Sequence, residues 1–199
     1  MTGNPWQVVP GEELVGLHQA GEIGDVALER SAVYSWRLSM RPPSGVATNS
    51  ESLTDWMDTL LSLPYGEIGN TRLSHTLSLG SIEVRGTGLG DEKKRVLKAF
   101  LRTRDNRQWF LRYLESLSPS TLALYTGETG NLTARIQQHM DGASDFGNQI
   151  NNHSGLTWDK LDLHFVDLGK PTDSSNKTRK LLEYITAVTT LSGYTKRPG

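Results

Sequence analysis

Residues 121–140 read TLALYTGETGNLTARIQQHM. Thr121 to Tyr125 alternate apolar and β-branched residues, the pattern of a short strand. Gly127 and Gly130 are expected to break it as turn glycines. Asn131 is a favoured N-cap, and Leu132, Ile136 and Met140 follow at helical spacing. The expected unit is therefore strand, glycine turn, helix. Arg135 and His139 stand four apart and share one side of that helix. Tyr125 at the strand end would face both across a small concavity. Taken alone, an Arg and a His at this spacing are an ordinary solvated helix face.

Upstream, Val26 to Leu38 (VALERSAVYSWRL) alternates in the same way: Val33, Ser35 and Arg37 on one side, Ala32, Tyr34, Trp36 and Leu38 on the other. This predicts a second strand. Downstream, Leu161 to Leu168 predicts a third, with His164 on the side of Asp162 and Val166 as a structural residue. Asp173 or Ser174 would cap a last helix with Leu181, Ile185 and Val188 as its apolar stripe and Gly193 as its end.

The string Tyr125, Gly127, Thr129, Asn131, Leu132, Arg135 and His139 resembles the second half of the GIY-YIG nuclease signature in residue type and spacing. Ala32-Val33-Tyr34 resembles the first half, with Ala32 where the family has Gly. The resemblance implies an α+β fold, a small mixed β-sheet flanked by helices. It also implies metal-dependent hydrolysis of DNA phosphodiesters. In that scheme Tyr34 is the water-activating base and Tyr125 orients water and phosphate. Arg135 grips the scissile phosphate, and His139 shares the proton or holds Tyr34. Glu183 holds Mg²⁺ (or Mn²⁺), the alternative being a surface Glu paired with Arg179. A free Tyr is almost wholly protonated at neutral pH. A cation must therefore lower its pKa, or a partner must take its proton. The family's further Asn falls at Thr195 here.

The two tyrosines lie far apart, so residues 41–117 become an insertion between neighbouring strands, which loop-closure entropy tolerates. The expected organisation is an N-terminal segment 1–30, a first core strand 31–40, the largely helical insertion 41–117, and the rest of the core 118–199. Residues 1–12 look irregular, and Glu13 to Ala20 a short helix ending at Gly21. Trp56, Leu60, Leu61 and Leu63 suggest a helix, and Leu77 to Val84 a hairpin. Gly86, Gly88 and Gly90 suggest a flexible turn. Asp91 to Leu117 keeps a helical period, with an interruption at Thr103 to Asn106. Residues 141–156 read as a loop that orders on substrate.

The chain has 199 residues, 21 Lys and Arg against 22 Asp and Glu, and no Cys. The count excludes disulfides and zinc–thiolate sites. No run approaches a membrane span. The start, MTGNPWQVVPGEE, lacks the pattern of a signal peptide, so the cytosol is the expected compartment. Charge is nevertheless uneven. Residues 91–112 hold eight basic residues against three acidic ones. Lys93, Lys94, Arg95, Lys98 and Arg102 are the candidate DNA contacts, since such a cluster neutralises phosphates and releases counterions. A restriction or genome-defence endonuclease reading its target with the insertion is expected, and a homodimer would suit cleavage of both strands. The alternatives are a structure-specific repair nickase and a non-catalytic nucleic-acid binding module.

Overall fold

The structure, a computed structural model, describes residues 5–25, 30–43, 45–62, 67–68, 71–72, 78–79, 82–83, 88–121, 123–153, 155–169 and 175–190. In chain order these form β1 (Gln7–Pro10), α1 (Gly11–Ala20), β2 (Ala32–Leu38) and α2 (Ser50–Ser62). Four two-residue strands follow: β3 (Glu67–Ile68), β4 (Thr71–Arg72), β5 (Ser78–Leu79) and β6 (Ile82–Glu83). Then come α3 (Asp91–Phe100), α4 (Arg104–Leu117), β7 (Ala123–Thr129), α5 (Leu132–Met140), α6 (Asp145–Asn151), β8 (Leu161–Asp167) and α7 (Ser175–Thr190).

The fold is α+β. Its main sheet runs β1-β8-β2-β7, and all three pairings are antiparallel rather than mixed. The chain forms two compact units. One comprises residues 1–38, 68–82 and 122–199 and holds this sheet; the other comprises 39–67 and 83–121 and holds α2, α3 and α4. The expected insertion thus corresponds to the second unit, except that 68–82 groups with the sheet unit.

β2 is the central strand, and every one of its residues is buried. A strand covered on both faces loses its polar-out alternation. Its register sets two faces. Tyr34 lies opposite Gly127 on β7 and Phe165 on β8, and Trp36 lies opposite Tyr125 and Leu163. Paired residues share a face, and successive ones alternate. Tyr34 and Trp36 therefore belong to one face. There Trp36 packs on Trp158, with ring centroids 4.9 Å apart, and Phe146 packs against both. Val33, Ser35 and Arg37 belong to the other face, with Thr126, Glu128, Asp162 and His164. α7 packs over β7 and β2 on that face, where Arg179 Nε donates to Glu128 Oε2 at 2.6 Å.

Several expectations are corrected. β7 does not stop at Tyr125 but continues through Gly127 to Thr129, because that glycine is spanned by a neighbour's ring rather than turned. Residues 7–10 form an edge strand on β8, with Pro10 at its end, where a missing N–H is tolerated. Residues 145–151 are helical: Ser144 caps α6, and Phe146 and Ile150 are buried. Ser78–Leu79 pairs with Thr71–Arg72; Leu77, Gly80, Ser81 and Val84 of the expected hairpin lie outside the described residues. Gly88 holds a left-handed φ of 63°, and the next N–H donates to Asp58 Oδ1, so this is a pinned turn. α7 carries Leu181 (57%) and Ile185 (47%) on its exposed side; they are not its packing stripe. Residues 26–29, Gly86, Asp173, Ser174, Gly193 and Thr195 lie outside the described residues.

Candidate functional site

The residues singled out around Tyr125 converge. Asn131 caps α5 by accepting from the Ala134 N–H at 2.9 Å. The helix buries Leu132, Ile136, His139 and Met140 and turns Arg135 and His139 toward β2 and β7. Arg135 Nε donates to the Tyr34 hydroxyl at 3.1 Å, and its Nη2 donates to the Tyr125 hydroxyl at 3.3 Å. Its Nη1 donates to Gln138 Oε1 at 3.0 Å, which sets the plane of the guanidinium. His139 Nε2 lies 2.8 Å from the Tyr34 hydroxyl, and its Nδ1 lies 2.6 Å from Ser144 Oγ.

Gly127 makes this possible. A Cβ there would stand 2.6 Å from the Tyr34 hydroxyl oxygen and 2.8 Å from the Tyr125 ring. The Tyr34 hydroxyl thus lies directly over β7, which is an edge strand.

The electrostatics are one-sided. Burial first, and then the Tyr125 hydroxyl, push the Tyr34 pKa well above that of a free phenol; Arg135 pulls the other way and does not win. Burial alone would lower the Arg135 pKa, but the facing Tyr34 and Tyr125 raise it, so the guanidinium stays charged. His139 is pushed down to about 3, by burial and then by Arg135. At neutral pH the site therefore holds the Arg135 cation, the neutral phenol of Tyr34 and a neutral imidazole. Since Arg135 already donates to the Tyr34 oxygen, the phenol proton points to His139 Nε2, and Nδ1–H donates to Ser144. The geometry gives the Tyr34 hydroxyl proton an acceptor in His139 Nε2.

A stability signature follows. Unfolded, His139 takes its proton near pH 6.5; folded, only at about pH 3. Between those values the unfolded chain binds more protons, so stability is lost as pH falls, by up to roughly 5 kcal/mol over the whole span. Urea melts from pH 7 to pH 4 should show this acid limb. His139→Gln should flatten it; an equally steep limb in the variant would locate the proton uptake elsewhere.

Glu183 does not join the group. It hydrogen-bonds none of the four side chains. It lies one turn after Arg179 on α7, half-buried, and α7 covers the other face of the sheet. β7, the last strand in the sheet order, is the strand that both α7 and the Tyr34 hydroxyl approach. Among the described residues no three His, Asp or Glu side chains gather into a metal cage. Mg²⁺ does not need one. It keeps several waters and is commonly held by one or two carboxylates plus substrate phosphate. A single carboxylate such as that of Glu183 fits that chemistry.

The basic candidates divide. Lys94 Nζ lies 2.7 Å from Asp58 Oδ2 and Lys98 Nζ 2.5 Å from Glu51 Oε1, so both are engaged within their own unit. Lys93, Arg95 and Arg102 are exposed.

Sequence reasoning missed Ser144 and Phe146, which stacks on Tyr125 with centroids 4.7 Å apart. The signal was present: Ser-Asp at a helix start, then apolar residues four apart. A cavity of about 170 Å³ opens beside the group, lined by Arg30, Ser31, Ala32, Leu132, Phe165 and Asp167. Leu132 is one turn from Arg135, and Ala32 is two residues from Tyr34 on the same face.

Compared with protein-family models, with curated proteins and with solved structures, the chain matches none.

Proposed function

We propose that the group Tyr34, Tyr125, Arg135 and His139 hydrolyses a phosphodiester bond of DNA. The observation that carries this reading is the Tyr34 hydroxyl held between a charged guanidinium at 3.1 Å and a neutral imidazole nitrogen at 2.8 Å. An anion-binding fork beside a proton acceptor is what attack of water on a phosphodiester requires.

The chemistry runs as follows. Arg135 presents its planar fork to the non-bridging oxygens and stabilises the charge they carry in the transition state. Water attacks phosphorus and gives up a proton to the Tyr34 oxygen as Tyr34 passes its own proton to His139 Nε2. The P–O bond to the departing sugar oxygen breaks, and that oxygen takes a proton from solvent. The products are a phosphomonoester end and a hydroxyl end. The phosphate also sets the relay. Its negative charge offsets Arg135, whose field adds to burial in keeping the imidazole deprotonated, and so makes His139 a better acceptor when substrate is bound. Tyr125 shares the Arg135 fork and orients the phosphate. Mg²⁺ or Mn²⁺, held by Glu183, would neutralise charge on the leaving oxygen.

One observation favours a second reading. Tyr34 and His139 both sit where proton transfer between them is uphill. That suits a module that grips a phosphate without cleaving it. The discriminating experiment is incubation with supercoiled plasmid in Mg²⁺ and in EDTA, wild type beside Glu183→Ala. Cleavage that needs Mg²⁺ and is lost in Glu183→Ala supports the nuclease and the metal assignment. Equal cleavage by the variant sinks the role of Glu183. No cleavage of plasmid or genomic DNA, with binding retained, establishes the module instead.

A further inference from the structure

We propose that the α3–α4 surface around Phe100, Trp109 and Tyr113 is a stacking platform for the bases of single-stranded or locally unpaired nucleic acid. These residues all belong to the second compact unit.

The helix spacing puts these rings outside. α4 turns Phe110 and Leu114 inward, which leaves Trp109 and Tyr113, four apart, on another side. α3 buries none of its residues and presents Val96 and Phe100, again four apart. Trp109 is 52% exposed, Tyr113 45% and Phe100 38%. The rings are not scattered. Trp109 and Tyr113 are parallel within 5° at 5.5 Å, and Phe100 meets Trp109 edge-on at 5.8 Å. Three large rings clustered this openly form a patch rather than the scattered single apolar residues of an ordinary surface. A preformed parallel stack with open area is what the next aromatic plane adds to.

The charge around the rings selects the occupant. Lys93, Arg95, Arg102, Arg104 and Arg112 are exposed. Among the described residues no carboxylate pairs with any of them. Lys94 and Lys98, by contrast, are held by Asp58 and Glu51, and Arg107 donates to the Leu101 and Arg102 carbonyls. Exposed cations on the same two helices as stackable rings complement a chain of alternating aromatic planes and phosphates. A protein partner would have to bring an apolar patch and separate carboxylates, whereas nucleic acid carries planes and phosphates in one chain. Paired duplex bases offer no open faces to stack on, so an unpaired strand fits best.

The test is fluorescence anisotropy of a labelled oligo-dT and of a labelled duplex, with the full chain in EDTA so that cleavage cannot intrude. Trp109→Ala should weaken oligo-dT binding about tenfold while leaving the slope of log affinity against log salt unchanged, since stacking releases no counterions. Trp109→Phe should recover most of the loss. Lys93→Gln with Arg95→Gln should instead flatten the slope. Duplex affinity should fall much less than oligo-dT affinity on losing Trp109. Wild-type affinity in Trp109→Ala, or no oligo-dT binding by the wild type, overturns the proposal. So does a dimer, seen by sedimentation, that Trp109→Ala dissolves without changing oligo-dT binding. That outcome would assign the surface to self-association.

Discussion

Replacing Arg135 by alanine should reduce DNA cleavage by at least about 10³-fold, the loss expected when the main donor to a transition-state oxyanion is removed. The effect should fall on the chemical step, measured under single-turnover conditions, because the fork acts on charge that develops there. Arg135→Lys should rescue little. One ammonium cannot reach the Tyr34 and Tyr125 hydroxyls together, as Nε and Nη2 do at 3.1 and 3.3 Å. The fold should persist with a loss of about 1–2 kcal/mol, since Arg135 is only half-buried and hydroxyls, not charges, are left behind. His139 should report the change independently. Without the neighbouring cation, the second cause of its depressed pKa disappears, and its titration should move toward the ordinary range. Cleavage within tenfold of wild type by a folded Arg135→Ala would remove Arg135 from the mechanism.

Gly147→Ala should damage both stability and site. A Cβ at Gly147 would stand 2.0 Å from the His139 carbonyl oxygen and 2.8 Å from its carbonyl carbon. Neither atom is the end of a flexible side chain, so α6 must lift from α5. Forced overpacking of this kind costs roughly 3 kcal/mol or more. Lifting α6 would draw Ser144 from the imidazole and Phe146 from the face of Tyr125. Thermal melts should therefore show a large drop in Tm, and the surviving folded fraction should cleave poorly. Gly16→Ala is the control. A Cβ there meets nothing within 4 Å in the middle of α1, and the change should stabilise by up to about 1 kcal/mol. A Gly147→Ala protein as stable as wild type would mean that the close approach of α6 to α5 is not what holds the site.

Local signals carried much of this architecture. Asn131 and the Leu132, Ile136 and Met140 stripe marked α5 to the residue, and the distant strands β2 and β7 pair as the separation of Tyr34 from Tyr125 required. Gly127 misled because a glycine inside a strand looks like a turn until the ring that covers it is known. β1 was hidden by its shortness and by Pro10. α7 misled for a different reason. Periodicity assumes that an apolar stripe faces the protein, but the face of β2 and β7 beneath α7 bears Ser35, Arg37, Thr126 and Glu128 beside Val33. Against such a surface a helix packs Arg179, Leu182, Glu183, Thr186 and Ala187, and Leu181, Tyr184 and Ile185 are left outside. No stretch read alone announces the polarity of the layer it will meet.

The pairing of β2 with β7 also governs how the chain reaches its native state. These two strands form the middle and one border of the sheet, yet residues 39–122 separate them. Joining strands across so long a stretch costs about 4 kcal/mol in closure entropy before any contact repays it. The α5–α6 pair is local and can form early, whereas β2 must arrive from far away to lie between β8 and β7. High contact order of this kind slows folding. The intervening residues soften the penalty, since 39–67 and 83–121 collapse into a unit of their own. The phenol of Tyr34 should then be among the last groups to dock, so that ordering of the site coincides with completion of the sheet.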